Sequence, residues 1–349
     1  MAKRAAQGGS GYFGPMKLGL LAAARITAGA IVEPASSLDS IDVVAVAARD
    51  IGRAREAATD WDVPVAYGSY EELVADDDLD AIYIATPAAL HHRWTIAALK
   101  AGKHVLCEKP FAANAGEARD MVTAGQQAFA ASGQILMEAY HWRYHPIVNQ
   151  MRTILDSERL GQIQRVSGRF NLPPEAIPRT DIRWDLSLGG GATMDLGCYP
   201  LQWVRWVVGA EPTVLSASAE IPIPEIDGSL TAELAWPNGV TGQIESTMIG
   251  PTTVPAVDLV VTGAAGEMVV MNPLAPQHGA TISVTDTDGT EVLEVDNSTT
   301  YLHQLQAFET ATTTRTMPIT SGDDSIATME LIDACYQAAG LSARPSLER

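Results

Sequence analysis

The chain has 349 residues, 46% of them hydrophobic, and a formal net charge of −19. That length exceeds one ordinary domain and points to two, each able to bury a sizeable core. The acidic balance argues against nucleic acid, whose phosphates require a basic face. No apolar run reaches the roughly 18 residues that a membrane span needs. Cys107, Cys198 and Cys335 are widely spaced and odd in number, which fits free thiols in a reducing cytoplasm and offers no zinc spacing.

Residues 1–15 are small, polar and glycine-rich, with a basic pair but no apolar stretch behind it, and read as a loose tail. Lys17 to Leu21 predicts a first strand, and the alanine-rich stretch from Ala22 predicts a helix that Pro34 ends or kinks. Asp42 to Ala48 is a β-branched run of the kind buried on both faces. Strand, helix and strand then alternate. Ser69 and Glu72 open a helix as a capping box, Ala81 to Ala85 is a strand ending at Thr86-Pro87, and Gly102 closes a helix from His91. His104 to Cys107 is a strand that runs into Glu108-Lys109-Pro110, and, counting a short strand at Val63 to Ala66, Gln134 to Glu138 is the sixth. The expected class is α/β: a doubly wound parallel sheet over residues 16–140. Past 140 the pattern changes to strands joined by turns such as Asn238-Gly239 and Asp288-Gly289, with helices near both ends. Residues 141–349 therefore read as an α+β domain with a mostly antiparallel sheet.

Ligands of an open parallel sheet bind beyond the carboxyl ends of its strands, so the Glu108-Lys109 pair points into that crevice. The first strand-to-helix turn should cradle a pyrophosphate through Gly-x-Gly-x-x-Gly or a variant; Gly19 is present, but the position where backbone approaches phosphate is Ala22. An extra methyl there costs little at negative φ and more at positive φ. Arg49, just after the second strand, suits a ribose 2′-phosphate and favours NADP over NAD. Asp195 and Tyr199 lie one helical turn apart after the Gly189-Gly190-Gly191 run. An ammonium such as Lys109 beside the phenol would lower its pKa and make Tyr199 a proton acceptor, with Asp195 orienting a substrate hydroxyl. His91, His92 and His104 read as groups capping or solvating helix ends, with no metal site expected.

These landmarks resemble the glucose-fructose oxidoreductase, inositol dehydrogenase and MocA family across nearly the whole chain. They are Ala85-Thr86-Pro87 with His91, Glu108-Lys109-Pro110, Met137-Glu138-Ala139-Tyr140 through Pro146, and Gly189 to Tyr199. Tyrosine at 199 resembles the dihydrodiol dehydrogenase and NADP-dependent xylose dehydrogenase branch. The resemblance implies a Rossmann domain, a second domain that mediates dimers or tetramers, and hydride transfer at a carbinol carbon of a sugar, cyclitol or trans-diol. It implies catalytic roles for Lys109, Asp195 and Tyr199, and a cofactor, NADP or NAD, met by Gly19, Ala24, Arg25, Ile26, Arg49, Thr86, Pro87, His91, Glu108 and Lys109. Tyr140, Arg143 and Trp184 are the implied substrate contacts. Two other readings stay open at this level: a non-redox enzyme that uses a retained nicotinamide transiently, and a ligand-binding module that has lost its cofactor. Titrating NADP and NAD into the purified protein separates them. NADP is expected to bind more tightly; a preference for NAD overturns the Arg49 reading, and binding of neither favours the module.

Overall fold

The computed structural model describes residues 14–347; residues 1–13, most of the expected tail, lie outside the described residues. Six parallel strands form the first sheet: β1 (Met16–Leu21), β2 (Ile41–Ala47), β3 (Val65–Tyr67), β4 (Ala81–Ile84), β5 (His104–Cys107) and β6 (Leu136–Glu138). Their order is β3-β2-β1-β4-β5-β6, so the direction of winding reverses between β1 and β4 and a crevice opens at their carboxyl ends. The expected doubly wound sheet is the observed one. All four residues of β4 are buried, as its continuous apolar run requires of a strand covered on both faces.

Helices α2 (Ile51–Asp60), α3 (Tyr70–Val74), α4 (His91–Lys100) and α5 (Ala115–Ser132) fill the crossovers. Asp50, Ser69 and Asn114 each accept the backbone N–H three positions on, which satisfies a donor that the helix leaves open. The expected helix at Ala22 starts later. Ala22 to Thr27 form a turn, and α1 begins with a π-wound turn at Ala28–Val32 before Glu33–Ala35. Pro34 has no N–H for the Ala30 carbonyl, and the turn ahead of it widens so that Glu33 donates to the Ala28 carbonyl.

The second sheet has eight strands: β7 (Ile163–Asn171), β8 (Thr213–Glu220), β9 (Ser229–Ala235), β10 (Thr241–Thr247), β11 (Ala256–Gly263), β12 (Glu267–Met271), β13 (Thr281–Asp286) and β14 (Gly289–Leu293). Their order is β14-β13-β12-β11-β7-β10-β9-β8, antiparallel except between β7 and β10. Helix α6 (Pro146–Leu155) leads into this sheet, and α7 (Cys198–Val208) packs on it. Gly168 permits that approach, since a Cβ there would stand 2.8 Å from the Pro200 ring. Helix α8 (Thr300–Thr314) returns to the first sheet, where Leu305, Phe308 and Ala311 pack with Leu18, Leu20 and Ile31. The last helix, α9 (Asp323–Ala338), contacts α5, α7 and β8. The division near residue 140 remains our proposed domain boundary, and α8 crosses it to cover the first core.

Ala22 has φ of 107°, a conformation that favours glycine, and is buried. Its Cβ is strained in the turn expected from the sequence to meet phosphate. Ala22→Gly should therefore add about 1 kcal/mol of stability by urea denaturation and tighten NADP binding; lower stability with unchanged affinity would overturn this account.

His104 is no solvated cap. The Ile135 N–H donates to its Nδ1 at 2.9 Å, and burial, with Arg315 nearby, pulls its pKa down to about 4. The unfolded imidazole, with a pKa near 6.5, takes up a proton that the folded one refuses. Stability contributed by neutral His104 is thus full above about pH 6.5 and lost as pH falls towards 4, on the order of 2 kcal/mol. Urea midpoints at pH 7 and pH 5 should converge in His104→Asn relative to the parent protein.

Candidate active site

The carboxyl end of β5 presents Glu108 and Lys109 at the crevice. Glu108 is turned inward: the Tyr83 hydroxyl donates to it at 2.7 Å and the Lys109 N–H at 3.2 Å. Burial raises the Glu108 pKa, with Lys109 and Tyr83 opposing that rise. The Lys109 side chain continues across the cleft, where Nζ donates to the Asp195 carbonyl at 2.8 Å and to its carboxylate at 3.2 Å. The other carboxylate oxygen accepts from Arg183 Nε at 2.5 Å. Asp195 therefore sits between two cations. Burial alone would raise its pKa, but Lys109 and Arg183 drive it well below the ordinary carboxylate range. Burial likewise pulls on the ammonium, yet Asp195 and its neighbours leave Lys109 above its usual value.

The segment carrying Asp195 is positioned by backbone constraints that a sequence can only hint at. Gly191 has φ of 135°, and a Cβ there would lie 2.2 Å from an Asp227 carboxylate oxygen. That fully buried carboxylate accepts from the Thr193 N–H and hydroxyl, both at 2.7 Å, from the Tyr336 hydroxyl at 3.0 Å and from Arg344 at 2.5 Å. Arg344 also donates to the Gly190 carbonyl at 2.6 Å. A π-wound turn, Thr193–Gly197, then carries Asp195 into α7, where Pro200 lacks the N–H for the Leu196 carbonyl.

Tyr199 lies beside this cluster in a different relation from the expected one. The Lys109 ammonium stands 4.9 Å from the centroid of its ring and not on its hydroxyl. Burial, reinforced by Tyr301, Cys198, Glu108 and Asp195, pushes the phenol well above its ordinary pKa, opposite to the lowering expected from an adjacent ammonium. The reason is that Asp195 engages the ammonium and the phenol is 4% exposed. The hydroxyl meets His141 Nε2 at 2.9 Å.

Several other expected contacts are reassigned. Gly19 lies inside β1, where a Cβ would stand 2.6 Å from Leu79, so its smallness serves packing and not a phosphate. His91 is buried, with Nδ1 3.0 Å from the Pro110 carbonyl and Nε2 2.7 Å from the Thr86 carbonyl; it braces the two loops that edge the crevice and does not reach into it. Tyr140 is fully enclosed and edge-on to Tyr199, leaving no face for a sugar. Arg143 pairs with Asp324 at 3.6 Å and lies 5.7 Å from the Trp142 ring centroid, so its charge is already engaged. Trp184 donates to the Ile177 carbonyl, and Arg179 stacks 3.9 Å from its ring centroid, so one of its faces is already covered. Arg183, His141 and Tyr83 were missed by sequence reading. Only Arg183 carried a signal, the close alternation of Asp181, Arg183 and Asp185.

At the cofactor side, the N–H groups of Ala23, Ala24, Arg25 and Ile26 have no backbone partner among the described residues, and Arg25 and Ile26 are exposed. Arg53 donates to the Ala23 carbonyl at 3.2 Å, tying α2 to this turn. Thr86, next to Pro87, has a buried hydroxyl with no partner among the described residues. Free amides at a turn after the first strand and an unsatisfied hydroxyl at the reversal of winding fit a dinucleotide. One potential metal cluster was not foreseen: His145, Asp296 and His303 converge, with ligand atoms within 4.8 Å of one another. His145 Nδ1 accepts the Ile147 N–H at 3.1 Å, so Nε2 carries the ring proton, the wrong tautomer for ligation through that nitrogen.

The chain is similar to known oxidoreductases over both of its sheets. Residues 5–137 match the oxidoreductase family with an NAD-binding Rossmann fold, and residues 148–269 match the GFO/IDH/MocA C-terminal domain. A D-xylose 1-dehydrogenase (NADP(+)) of Haloferax volcanii is 34% identical over 95% of this chain and 100% of its own length. A trans-1,2-dihydrobenzene-1,2-diol dehydrogenase of Sus scrofa is 37% identical over 66% of each chain. Among solved structures, a mutant 3-ketoreductase of Actinomadura kijaniata in complex with TDP-benzene and NADP superposes with a TM-score of 0.84 at 25% identity, covering 93% of this chain and 98% of that one. The chain belongs to the GFO/IDH/MocA family of NAD(P)-dependent oxidoreductases.

Proposed function

We propose that the protein is an NADP-dependent oxidoreductase acting on a secondary alcohol, or the matching ketone, of a sugar, cyclitol or trans-diol. The observation that carries this reading is the convergence of Lys109, Asp195 and Tyr199 at the carboxyl ends of the parallel strands. The nicotinamide, when bound, takes or gives the hydride. Lys109 and Asp195 then hold the substrate oxygens as a charge-balanced pair, and Arg183 keeps the carboxylate ionised and oriented. Glu108, fixed by Tyr83, is placed to meet the nicotinamide ribose. The Arg25 and Ile26 amides, Thr86 and Pro87 line the dinucleotide. Arg49, exposed just past β2, supplies positive charge for a 2′-phosphate; burial raises the Tyr70 pKa, and Arg49 with Arg53 partly opposes that rise, which puts both cations near that ring.

Tyr199 is neutral at rest, so it serves first as a proton donor to a developing alkoxide, the direction of ketone reduction. Alcohol oxidation requires its own proton to move elsewhere. The Haloferax relative acts on D-xylose by its name and the porcine one on a trans-diol, which are the first substrates to try.

A homodimer or homotetramer through the second sheet is the proposed assembly. Exposed Leu215, Met271 and Val292 on β8, β12 and β14 support it. Three free, buried cysteines support a reducing cytoplasm, and among the described residues no helix is long and apolar enough to cross a membrane.

Lys109→Met and Tyr199→Phe should each lower turnover of D-xylose or trans-1,2-dihydrobenzene-1,2-diol by at least ~10²-fold. Binding of NADP, followed by fluorescence, should stay nearly unchanged in Tyr199→Phe. Full turnover in both variants would refute the assigned roles.

A further inference from the structure

The imidazole behind Tyr199 has a tautomer that its surroundings fix. His141 is buried, with Nε2 2.9 Å from the Tyr199 hydroxyl and Nδ1 2.7 Å from Thr300 Oγ1. The Thr300 hydroxyl donates to the Leu274 carbonyl at 3.0 Å. A hydroxyl has one hydrogen, so Thr300 can only accept from His141. Nδ1 therefore carries the ring proton and Nε2 offers a lone pair, and the Tyr199 hydroxyl must donate to it. The phenol oxygen keeps its own lone pairs for a second partner, while its proton already points at a base.

We propose that His141 is the positioning residue that takes the Tyr199 proton when a carbinol is oxidised and returns it when a carbonyl is reduced. This rests on the proposed role of Tyr199 and adds the destination of its proton. In oxidation the substrate O–H bond breaks as its proton joins the phenol oxygen. The Tyr199 O–H bond breaks as that proton joins His141 Nε2, and the carbinol C–H pair leaves as hydride for the nicotinamide, the oxidant. One positive charge lost by the nicotinamide reappears on the imidazolium, so the net charge of the site is conserved through the step.

Other groups at the phenol are unsuited to this work. Lys109 is an ammonium already donating to Asp195 and reaches Tyr199 only through its ring face. Tyr301 packs its ring against the imidazole, with centroids 4.3 Å apart, and burial followed by Glu108 and Asp195 raises its own pKa. Burial, with Lys109 adding to it, lowers the His141 pKa to about 3, so the imidazole is neutral at rest with Nε2 open to the phenol, and a proton received there from Tyr199 is held weakly and passed back readily. A buried, free phenolate is disfavoured for the same reason, and a concerted two-proton transfer avoids forming one.

His141→Gln tests the proposal, because an amide oxygen can accept the phenol hydrogen bond but cannot take the proton. With whichever of D-xylose or trans-1,2-dihydrobenzene-1,2-diol is turned over, kcat should fall about 10²-fold while NADP affinity is kept. The proton inventory in mixed H2O and D2O should change from curved in the parent, with two protons in flight, to linear in the variant. Independently of turnover, and of whether the variant folds, nitrogen NMR of the parent protein should show His141 protonated at Nδ1 and bare at Nε2. Parental kcat and curvature in His141→Gln, or a proton on Nε2 at rest, would overturn the relay. A loss in Tyr199→Phe with none in His141→Gln overturns the relay and leaves the Tyr199 role standing; parental turnover in Tyr199→Phe removes both.

Discussion

One carboxylate shared by two cations holds the cleft together. Asp195 receives Lys109 from the first sheet and Arg183 from the loop that leads into its own helix, and it is the carboxylate that both cations share. Removing one partner of such a buried group typically costs 3–5 kcal/mol, because the charge left behind is unpaired. Further out, Arg183 also binds Asp181 at 3.0 Å, and Asp181 reaches Arg25 in the turn after β1 at 3.5 Å. The outer link is far weaker, since the Arg25 side chain is 75% exposed and such pairs contribute ~1 kcal/mol or less. An alternating series of charges thus runs from the turn after β1 to Lys109, firm at Asp195 and loose at Arg25, where we propose the dinucleotide enters.

Placing that carboxylate is the task of a second buried pair. Asp227 and Arg344 are almost completely enclosed, and between them they bind the backbone at Gly190 and Thr193. A residue near the end of the chain therefore fixes the loop that bears Asp195. Glycine at 191 follows from this packing: the Asp227 carboxylate occupies the place where a Cβ would be.

The same burial that strengthens the ion pairs decides the state of Tyr199. In a chain of net charge −19, Lys109 and Arg183, the cations of this cluster, are both engaged by the Asp195 carboxylate. An enclosed phenol then keeps its proton, and hydrogen bonding to His141 determines where that proton points. Desolvation outweighs the single ammonium over the ring, which is why proximity of Lys109 alone does not make a phenolate.

Much of the architecture was legible in the sequence, because period, length and punctuation are local properties. The apolar runs at Asp42 to Ala48 and Ala81 to Ala85, the cap at Ser69, and the turns at Asn238-Gly239 and Asp288-Gly289 each announce an element within a few residues of where it lies. Glu108-Lys109 at a strand end and the glycines before Asp195 marked the crevice for similar reasons. Direction and environment were not legible. Whether Ala22 takes positive φ, whether Tyr140 offers a face or an edge, and which atom of Tyr199 meets Lys109 depend on residues far off in the chain. His141, Thr300 and Leu274 come together only because α8 folds back over the first sheet, and no spacing within the chain encodes that contact.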